Sequence, residues 1–116
     1  MISRLSGRQR FARLSAQGVS AWSGPVGLRW LSIEGRPGER DRRVAYSVGR
    51  AVGTAVTRNR VRRRLRAIVA SHAAELPPGD LMVLVRPAAA DLAFSDLEHK
   101  LCTAAARLPS TSRSSS

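Results

Sequence analysis

Six arginines lie within nine residues of the chain, in the segment RNRVRRRLR from Arg58 to Arg66. Like charges at this density repel one another, and no acidic residue between positions 44 and 74 offsets them. A charged face that only meets solvent normally carries both signs, so the cluster indicates a polyanionic partner. Phosphate contacts of this kind dominate affinity and make it dependent on salt, although they do not select a nucleotide sequence.

The spacing of apolar residues predicts that this segment is an amphipathic helix. Five residues share one stripe at the helical period: Val61, Leu65, Ile68, Val69 and His72. The opposite side carries the polar residues of the segment: Asn59, Arg60, Arg62, Arg63, Arg64 and Arg66. Arg58 falls near the stripe, but it lies in the first turn of the helix, where its long side chain can point away from the core. Thr57 is the predicted N-cap. One half of the helix is therefore core, and the other half is basic.

No set of side chains in the sequence predicts a catalytic centre on the protein. His72 lies on the apolar stripe and is interpreted as a packed residue at the end of the helix. His99 and Cys102 are three residues apart, and two candidate ligands do not make a zinc site, so no metal site is predicted. The acidic residues are scattered, without a convergent pair for general acid–base catalysis. If the chain belongs to an enzyme, another component performs the chemistry.

Five aromatic residues are available to stack on the bases of a single-stranded nucleic acid: Phe11, Trp22, Trp30, Tyr46 and Phe94. Phe11 stands among arginines, and Trp30 and Tyr46 fall on neighbouring predicted strands, where a cleft between them is one interpretation. In a core this small, each of these residues is equally well explained by packing. The sequence leaves both interpretations open.

The composition is that of a basic globular protein. The 116 residues suffice for one domain, and 20 basic residues against eight acidic ones give a net charge of +12. Such a charge attracts nucleic acid or an anionic membrane. The apolar face of the arginine helix lacks Trp and Phe and is needed for the core, so membrane binding is not predicted. A lone cysteine and the absence of an apolar run of about 20 residues predict a cytoplasmic protein.

The remaining patterns predict an α+β fold with its elements in the order α-β-β-β-α-β-α. A helix is predicted over residues 6–17 and strands over 25–33 and 44–50, before the arginine helix. The uninterrupted apolar run at 81–85 predicts a central strand covered on both faces. A capping-box spacing from Ser95 to Glu98 predicts the start of a final helix. The domain is predicted over residues 1–109, followed by a disordered, serine-rich tail at 110–116.

The segment SVGRAVGTAVTRNRVRRRLRAIV, residues 47–69, resembles the signature of the bacterial ribonuclease P protein subunit. That family carries a strand and a basic turn, then G-[NT]-A-V and R-N-R-x-[KR]-R, which correspond here to residues 53–56 and 58–63. The likeness continues in the strand DLMVLVRP, in the last helix, and in four positions near the N-terminus: Arg4, Leu5, Phe11 and Gly18. It covers nearly the whole chain apart from the tail.

The predicted order contains four strands, so the sequence predicts a small four-stranded sheet packed with helices. The resemblance implies that this is the ribosomal protein S5 domain 2-like fold. It also implies that the β-α-β crossover through the arginine helix is left-handed, although such crossovers are right-handed in about 98% of cases. The implied enzyme is ribonuclease P, a ribonucleoprotein whose RNA subunit is the catalyst. That RNA and the substrate phosphates are expected to hold Mg²⁺, which activates water to cut the 5′ leader from precursor tRNA.

The same resemblance implies roles for two sets of residues. The arginine helix is expected to bind the RNA subunit through Arg58, Asn59, Arg60, Arg62, Arg63, Arg64 and Arg66. A cleft between the first helix and the sheet is expected to bind the single-stranded 5′ leader through Phe11, Trp30, Arg8, Arg10, Arg13 and Arg50. The protein is expected to be a monomer in a one-to-one complex with the RNA, without a catalytic residue of its own.

Two other functions are compatible with a basic helix of this kind. A non-enzymatic RNA-binding protein, such as a ribosomal protein, would share the fold and the charge and would co-sediment with ribosomes in high salt. A DNA-binding protein would place the helix in the major groove. Against the DNA alternative, only Asn59 remains on the helix as a reader of bases, and no dimerisation element is evident.

Overall fold

The computed structural model describes residues 2–32 and 42–108 of the chain. The predicted tail at 110–116 lies outside the described residues. In these ranges the elements are, in chain order, β1 (Ile2–Arg4), α1 (Arg8–Gln17), β2 (Val19–Ser23), β3 (Val26–Leu31), β4 (Arg42–Ser47), α2 (Ala55–Ser71), β5 (Gly79–Val85) and α3 (Phe94–Arg107). None of these helices combines the length and the apolar character that crossing a membrane requires.

The strands form one mixed sheet in the order β1-β4-β5-β3-β2. β1, β4 and β5 run parallel to one another, whereas β3 is antiparallel to both β5 and β2. β5 is therefore the central strand, and its Leu81 and Val83 are fully buried. This confirms the central position predicted from the apolar run at 81–85. Since β4 and β5 are parallel neighbours, α2 is the crossover connection between them.

Helices cover both faces of the sheet. α2 and α3 pack on one face and supply much of the main core. The buried stripe of α2 consists of the predicted residues Val61, Leu65, Ile68 and Val69. On the other face α1 buries Leu14 completely. Arg29 of β3 holds α1 there, because its guanidinium donates to the carbonyl oxygens of Leu14 at 2.8 Å and Ser15 at 2.6 Å.

The prediction of a four-stranded sheet is wrong, because β1 adds a fifth strand at one edge. The observed elements follow the predicted order with β1 placed before it. β1 has three residues, too few to show a period of two, and its partner is the distant β4, with Ile2 opposite Arg42. The predicted order has three strands before the arginine helix, but the sequence patterns assign residues to only two of them. The third is β2, an edge strand in which only Ala21 and Ser23 are buried.

Two helix caps differ from the predicted ones. Thr54, not Thr57, is the N-cap of α2, and its hydroxyl oxygen accepts a hydrogen bond from the Thr57 N–H at 3.2 Å. α3 begins at Phe94, and the residue before it, Ala93, offers no capping side chain, so the predicted capping box is wrong. A cap depends on the backbone angles of one residue, which a spacing of residue types does not fix.

Candidate nucleic-acid interface

The turn before α2 determines where the first arginine of the cluster lies. Gly53 has a φ of +154°, which L side chains rarely adopt, and a Cβ there would lie 3.0 Å from the Thr57 side chain. The Gly53 carbonyl oxygen accepts a hydrogen bond from Arg58 Nε at 3.2 Å. Thr54 then caps the helix. The G-T-A-V segment therefore ties Arg58 back to the turn, while the later arginines project from the helix.

The polar side of α2 forms a continuous basic surface. Four of its residues are exposed: Asn59, Arg60, Arg63 and Arg66. Three others are half-buried: Arg58, Arg62 and Arg64. We refer to these residues together as the basic surface. Arg62 Nη1 donates to the Asn59 side-chain oxygen at 2.9 Å, which orients the guanidinium along the helix.

Contacts inside the protein distinguish the arginines of the basic surface. Arg64 Nη1 donates to the carbonyl oxygen of Leu92 at 3.3 Å, so this side chain also links α2 to the segment before α3. Within residues 2–32 and 42–108, no hydrogen bond or ion pair engages Arg60 or Arg63. These two guanidinium groups present all of their donors to a ligand.

A cleft of about 670 Å³ opens beside the basic surface, where β1 ends and the chain turns into α1. It is lined by residues 2–7 of β1 and the turn after it, by Phe11 of α1, and by residues 44–46 of β4. Arg62 and Arg66 of α2 also line it. Because two residues of the basic surface contribute to the cleft, the surface and the cleft form one continuous region.

Tyr46 connects the cleft to the basic surface. The guanidinium carbon of Arg66 lies 5.5 Å from the centroid of the Tyr46 ring, within cation–π distance. Burial raises the pKa of Tyr46 above its usual value of 10.0, and the charge of Arg66 acts in the opposite direction. The phenol is therefore neutral at physiological pH, and a ligand in the cleft meets an aromatic ring and a hydroxyl group.

Sequence reasoning offered a cleft between Trp30 and Tyr46 as one interpretation. β5 separates their two strands in the sheet, and of this pair only Tyr46 lines the observed cleft. Its alternation with Val44 predicted that the two side chains share one face of a strand, which the register confirms because they lie opposite Val83 and Leu81 of β5. No local pattern indicates that Arg66 lies over its ring.

Of the residues that the resemblance assigns to leader binding, Phe11 is the one that lines the cleft, and it is half-buried. Trp30 lies on β3, where its Nε1 donates to the carbonyl oxygen of Pro78 at 3.0 Å and its ring packs against the main core. Three exposed arginines of the same set do not line the cleft: Arg8, Arg13 and Arg50.

Arg10, the remaining member of that set, has a partner inside the protein. Its Nη1 lies 3.6 Å from Asp80 Oδ1, and Arg43 Nη1 lies 3.9 Å from the same oxygen. The Asp80 side chain is only 5% exposed, and among the residues that the structure describes neither its Oδ1 nor Arg43 Nη1 has a hydrogen-bond partner. Since Asp80 belongs to the central strand, the ion pair with Arg10 joins α1 to the middle of the sheet.

The side chains of the basic surface and the cleft are of types that bind nucleic acids. Neither the basic surface nor the lining of the cleft contains a carboxylate. Guanidinium groups bind phosphates through charge-assisted hydrogen bonds, and aromatic rings stack on unpaired bases. The arrangement therefore suits a nucleic acid whose phosphates lie along α2 and whose single-stranded end enters the cleft.

The sequence also matches a known protein family. The model of the family described as Ribonuclease P matches residues 2–109. The ribonuclease P protein component of Thermobifida fusca is 44% identical over 68 residues, 58% of this chain and 46% of that protein, so the match spans less than half of the relative. The ribonuclease P protein component of Bacillus velezensis is 31% identical over 99 residues, 85% of this chain and 83% of that protein.

Solved structures show the same fold. The RNase P protein of Thermotoga maritima superposes with a TM-score of 0.78 at 23% identity, covering 93% of this chain and 99% of that one. The RNase P protein of Staphylococcus aureus gives a TM-score of 0.75 at 22% identity, covering 87% of this chain and 90% of that one. The α+β architecture is therefore shared with these proteins.

Proposed function

Since the chain belongs to the ribonuclease P protein family, we propose that it is the protein subunit of a bacterial ribonuclease P, which removes the 5′ leader from precursor tRNA. The match of the family over residues 2–109 carries this proposal. The RNA subunit performs the cleavage, and the protein contributes binding. The basic surface and the adjoining cleft supply the two nucleic-acid sites that such a subunit needs.

The basic surface binds the RNA subunit. Arg60 and Arg63 are exposed and have no partner within the described ranges, so docking on RNA breaks no contact that these side chains make there. Guanidinium groups match phosphate geometry through paired hydrogen bonds. Such contacts fix the position of the protein on a folded RNA without reading its bases.

The cleft binds the 5′ leader of precursor tRNA. Phe11 and Tyr46 supply rings that stack on bases, and Arg62 and Arg66 supply charge for the phosphates. Only a single strand can place unstacked bases against such rings. Mature tRNA lacks the leader, so these contacts raise the affinity for the precursor over the product.

Magnesium is required by the proposed reaction, but the nucleic-acid-binding region of the protein does not suit it. Mg²⁺ takes oxygen ligands in octahedral geometry, usually including one or two carboxylates when a protein binds it. The basic surface and the cleft lining carry none. We therefore assign the magnesium ions mainly to the RNA subunit and the substrate phosphates.

The proposal extends to finer features of the family. The ribosomal protein S5 domain 2-like topology, with a left-handed connection from β4 through α2 to β5, is supported by family membership and by the parallel pairing of β4 and β5. A monomeric protein that forms a one-to-one complex with the RNA in the cytoplasm is proposed on the same basis.

Reconstitution tests the proposal. The protein is mixed with the ribonuclease P RNA of its organism at low magnesium concentration, and cleavage of the 5′ leader from precursor tRNA is followed. We expect strong stimulation over RNA alone and no cleavage by protein alone. Stimulation must also disappear when the precursor is replaced by an RNA without a tRNA fold.

The alternative, a non-enzymatic RNA-binding protein of ribosomal type, predicts a different result. A folded protein that binds RNA but does not stimulate cleavage, and that co-sediments with ribosomes in high salt, would overturn the ribonuclease P assignment.

A further inference from the structure

A cluster of potential metal ligands lies at the end of α2 remote from the arginines. His72 is the C-cap of α2, Glu75 lies in the 3₁₀ turn that follows, and Cys102 belongs to α3. One ligand atom from each of the three side chains lies within 4.8 Å of the other two. In sequence, His99 and Cys102 are three residues apart on α3, but the fold brings His72 and Glu75 to Cys102 instead.

Both ring nitrogens of His72 have carboxylate partners. Nδ1 lies 2.7 Å from Glu75 Oε2, and Nε2 lies 2.7 Å from Glu98 Oε2. Glu98 and Cys102 are one turn apart on α3 and so share a face of that helix. Only five of the described residues are acidic, and two of them converge on this histidine in a strongly basic protein.

We propose that His72, Glu75 and Cys102 form a binding site for one Zn²⁺ ion, with Glu98 positioning the imidazole. Nitrogen, sulfur and carboxylate oxygen are the ligands that zinc takes in proteins, and three protein ligands leave a fourth tetrahedral position for water. In this arrangement His72 binds the ion through Nδ1, and its Nε2–H donates to Glu98. Such carboxylate–histidine–zinc relays fix the tautomer and the orientation of the ring.

The distances require only small side-chain movements. Zinc bonds of roughly 2.0–2.3 Å place tetrahedral ligand atoms about 3.5 Å apart, so a spread of up to 4.8 Å closes by rotations of the side chains. The side chain of Glu75 is 62% exposed and is free of the core, so it can make most of this adjustment.

The charges around the thiol are consistent with a cation at this place. The negative charges of Glu75 and Glu98 lie near the Cys102 thiol, and a bound divalent cation would offset them. The ion would also join the end of α2 to α3, so binding should stabilise the folded protein.

The site is independent of the proposed function. None of its three ligands belongs to the basic surface or lines the cleft. His72 lies six residues beyond Arg66 on the same helix, roughly 9 Å along the helix axis. Metal binding is therefore measurable on the free protein without RNA, and its failure would leave the ribonuclease P assignment untouched.

Cobalt substitution tests the proposal directly. Reduced, full-length protein is titrated with Co²⁺, and the sulfur-to-cobalt charge-transfer band is recorded. Cys102 is the only cysteine of the chain, so the band reports this residue alone. We expect saturation at one equivalent per monomer, tetrahedral visible bands, displacement by Zn²⁺, and a rise in the unfolding temperature with Zn²⁺.

Variants define the ligands. Cys102→Ser should abolish the charge-transfer band, and Glu75→Gln, at an exposed side chain, should weaken binding at least about tenfold. Glu98→Gln should weaken it by about 10- to 100-fold, the usual effect of losing a partner behind a metal ligand. His99→Gln is the matched control, because His99 is exposed on the same helix outside the cluster, and should bind normally.

Two results would overturn the site. One is the absence of a stoichiometric charge-transfer band, which would mean that His72 only forms ion pairs with the two glutamates. The other is cobalt binding that does not need the cluster, seen either as unchanged affinity in both Glu75→Gln and Glu98→Gln or as binding only by dimers in size-exclusion chromatography. Either form would mean that Cys102 binds cobalt adventitiously.

Discussion

The guanidinium of Arg66 lies over the ring of Tyr46, with its central carbon 5.5 Å from the ring centroid. Arg66 belongs to the basic surface of α2. Tyr46 belongs to β4, two residues beyond Val44, where the described pairing of β4 with β1 ends. The contact makes one side of α2 a part of the cleft. Docking of the RNA subunit and binding of the leader are thus expected to involve neighbouring groups, not separate ends of the molecule.

Tyr46 should titrate at higher pH than a free tyrosine. Burial raises its pKa above 10.0, and Arg66 partly offsets this, so Arg66→Gln should raise the pKa further. Tyr46 is the only tyrosine of the chain, so tyrosinate absorbance in an alkaline titration measures it alone. A pKa at or below 10 in the native protein would contradict the buried position of the phenol.

The same shift affects stability at alkaline pH. Because the folded state holds the phenolic proton more tightly than the unfolded state, the contribution of Tyr46 is fully present below pH 10. It is lost as the pH rises through the folded-state pKa. Urea unfolding of the native protein and of Tyr46→Phe, which has no proton to lose, should therefore begin to diverge above about pH 10, and the difference should stop growing once the pH passes the folded-state pKa.

Replacement of Arg60 and Arg63 by alanine should weaken binding of the RNA subunit. Each lost phosphate contact should reduce the slope of log K against log salt by about one unit, so the double variant should lose about two. Stability should change by less than about 0.5 kcal/mol, since neither side chain has a partner within the described ranges.

Arg107→Ala is the control for charge, because Arg107 is anchored to the Trp22 carbonyl oxygen on a different part of the protein. It should leave the salt slope close to that of the native protein. Equal slopes for Arg107→Ala and the double variant would place the docking surface elsewhere.

Phe11→Ala should reduce the affinity for precursor tRNA and leave assembly with the RNA subunit intact. Loss of one stacked base costs about 1–3 kcal/mol. Binding of precursor and mature tRNA to the reconstituted complex is compared by equilibrium measurement. Phe94→Ala is the matched control, since Phe94 is 42% exposed and does not line the cleft. A similar loss for mature tRNA would mean that Phe11 acts through folding.

Asp80→Asn should destabilise the protein. The carboxylate is almost fully buried between Arg10 and Arg43, and its loss leaves the buried Nη1 of Arg43 without a charged partner. The expected decrease in the free energy of unfolding is about 1–3 kcal/mol, measured by urea denaturation. Asp91→Asn, at an exposed carboxylate, should have little effect. Equal stability of the two variants would show that the ion pairs do not hold α1 to the sheet.

The sequence by itself determined the elements whose pattern is local. The stripe from Val61 to Val69 repeats at the helical period, and the same residues are buried in α2. The apolar run at 81–85 indicated the central strand, because only a strand between two others and beneath helices can bury both faces. The family signature at 47–69 likewise consists of consecutive residues, so it was legible before any fold was known.

Only the tertiary structure decided which distant residues meet. β1 is recognisable by its pairing with β4. The cleft needs Phe11, Tyr46 and Arg66, which come from three elements. Asp80 lies close to Arg10 because α1 packs on the sheet. The ligand cluster around His72 arises in the same way. Periodicity and composition report the environment of a residue along its own element. Contacts between elements depend on strand order, register and helix packing, which are set by the burial of the chain as a whole.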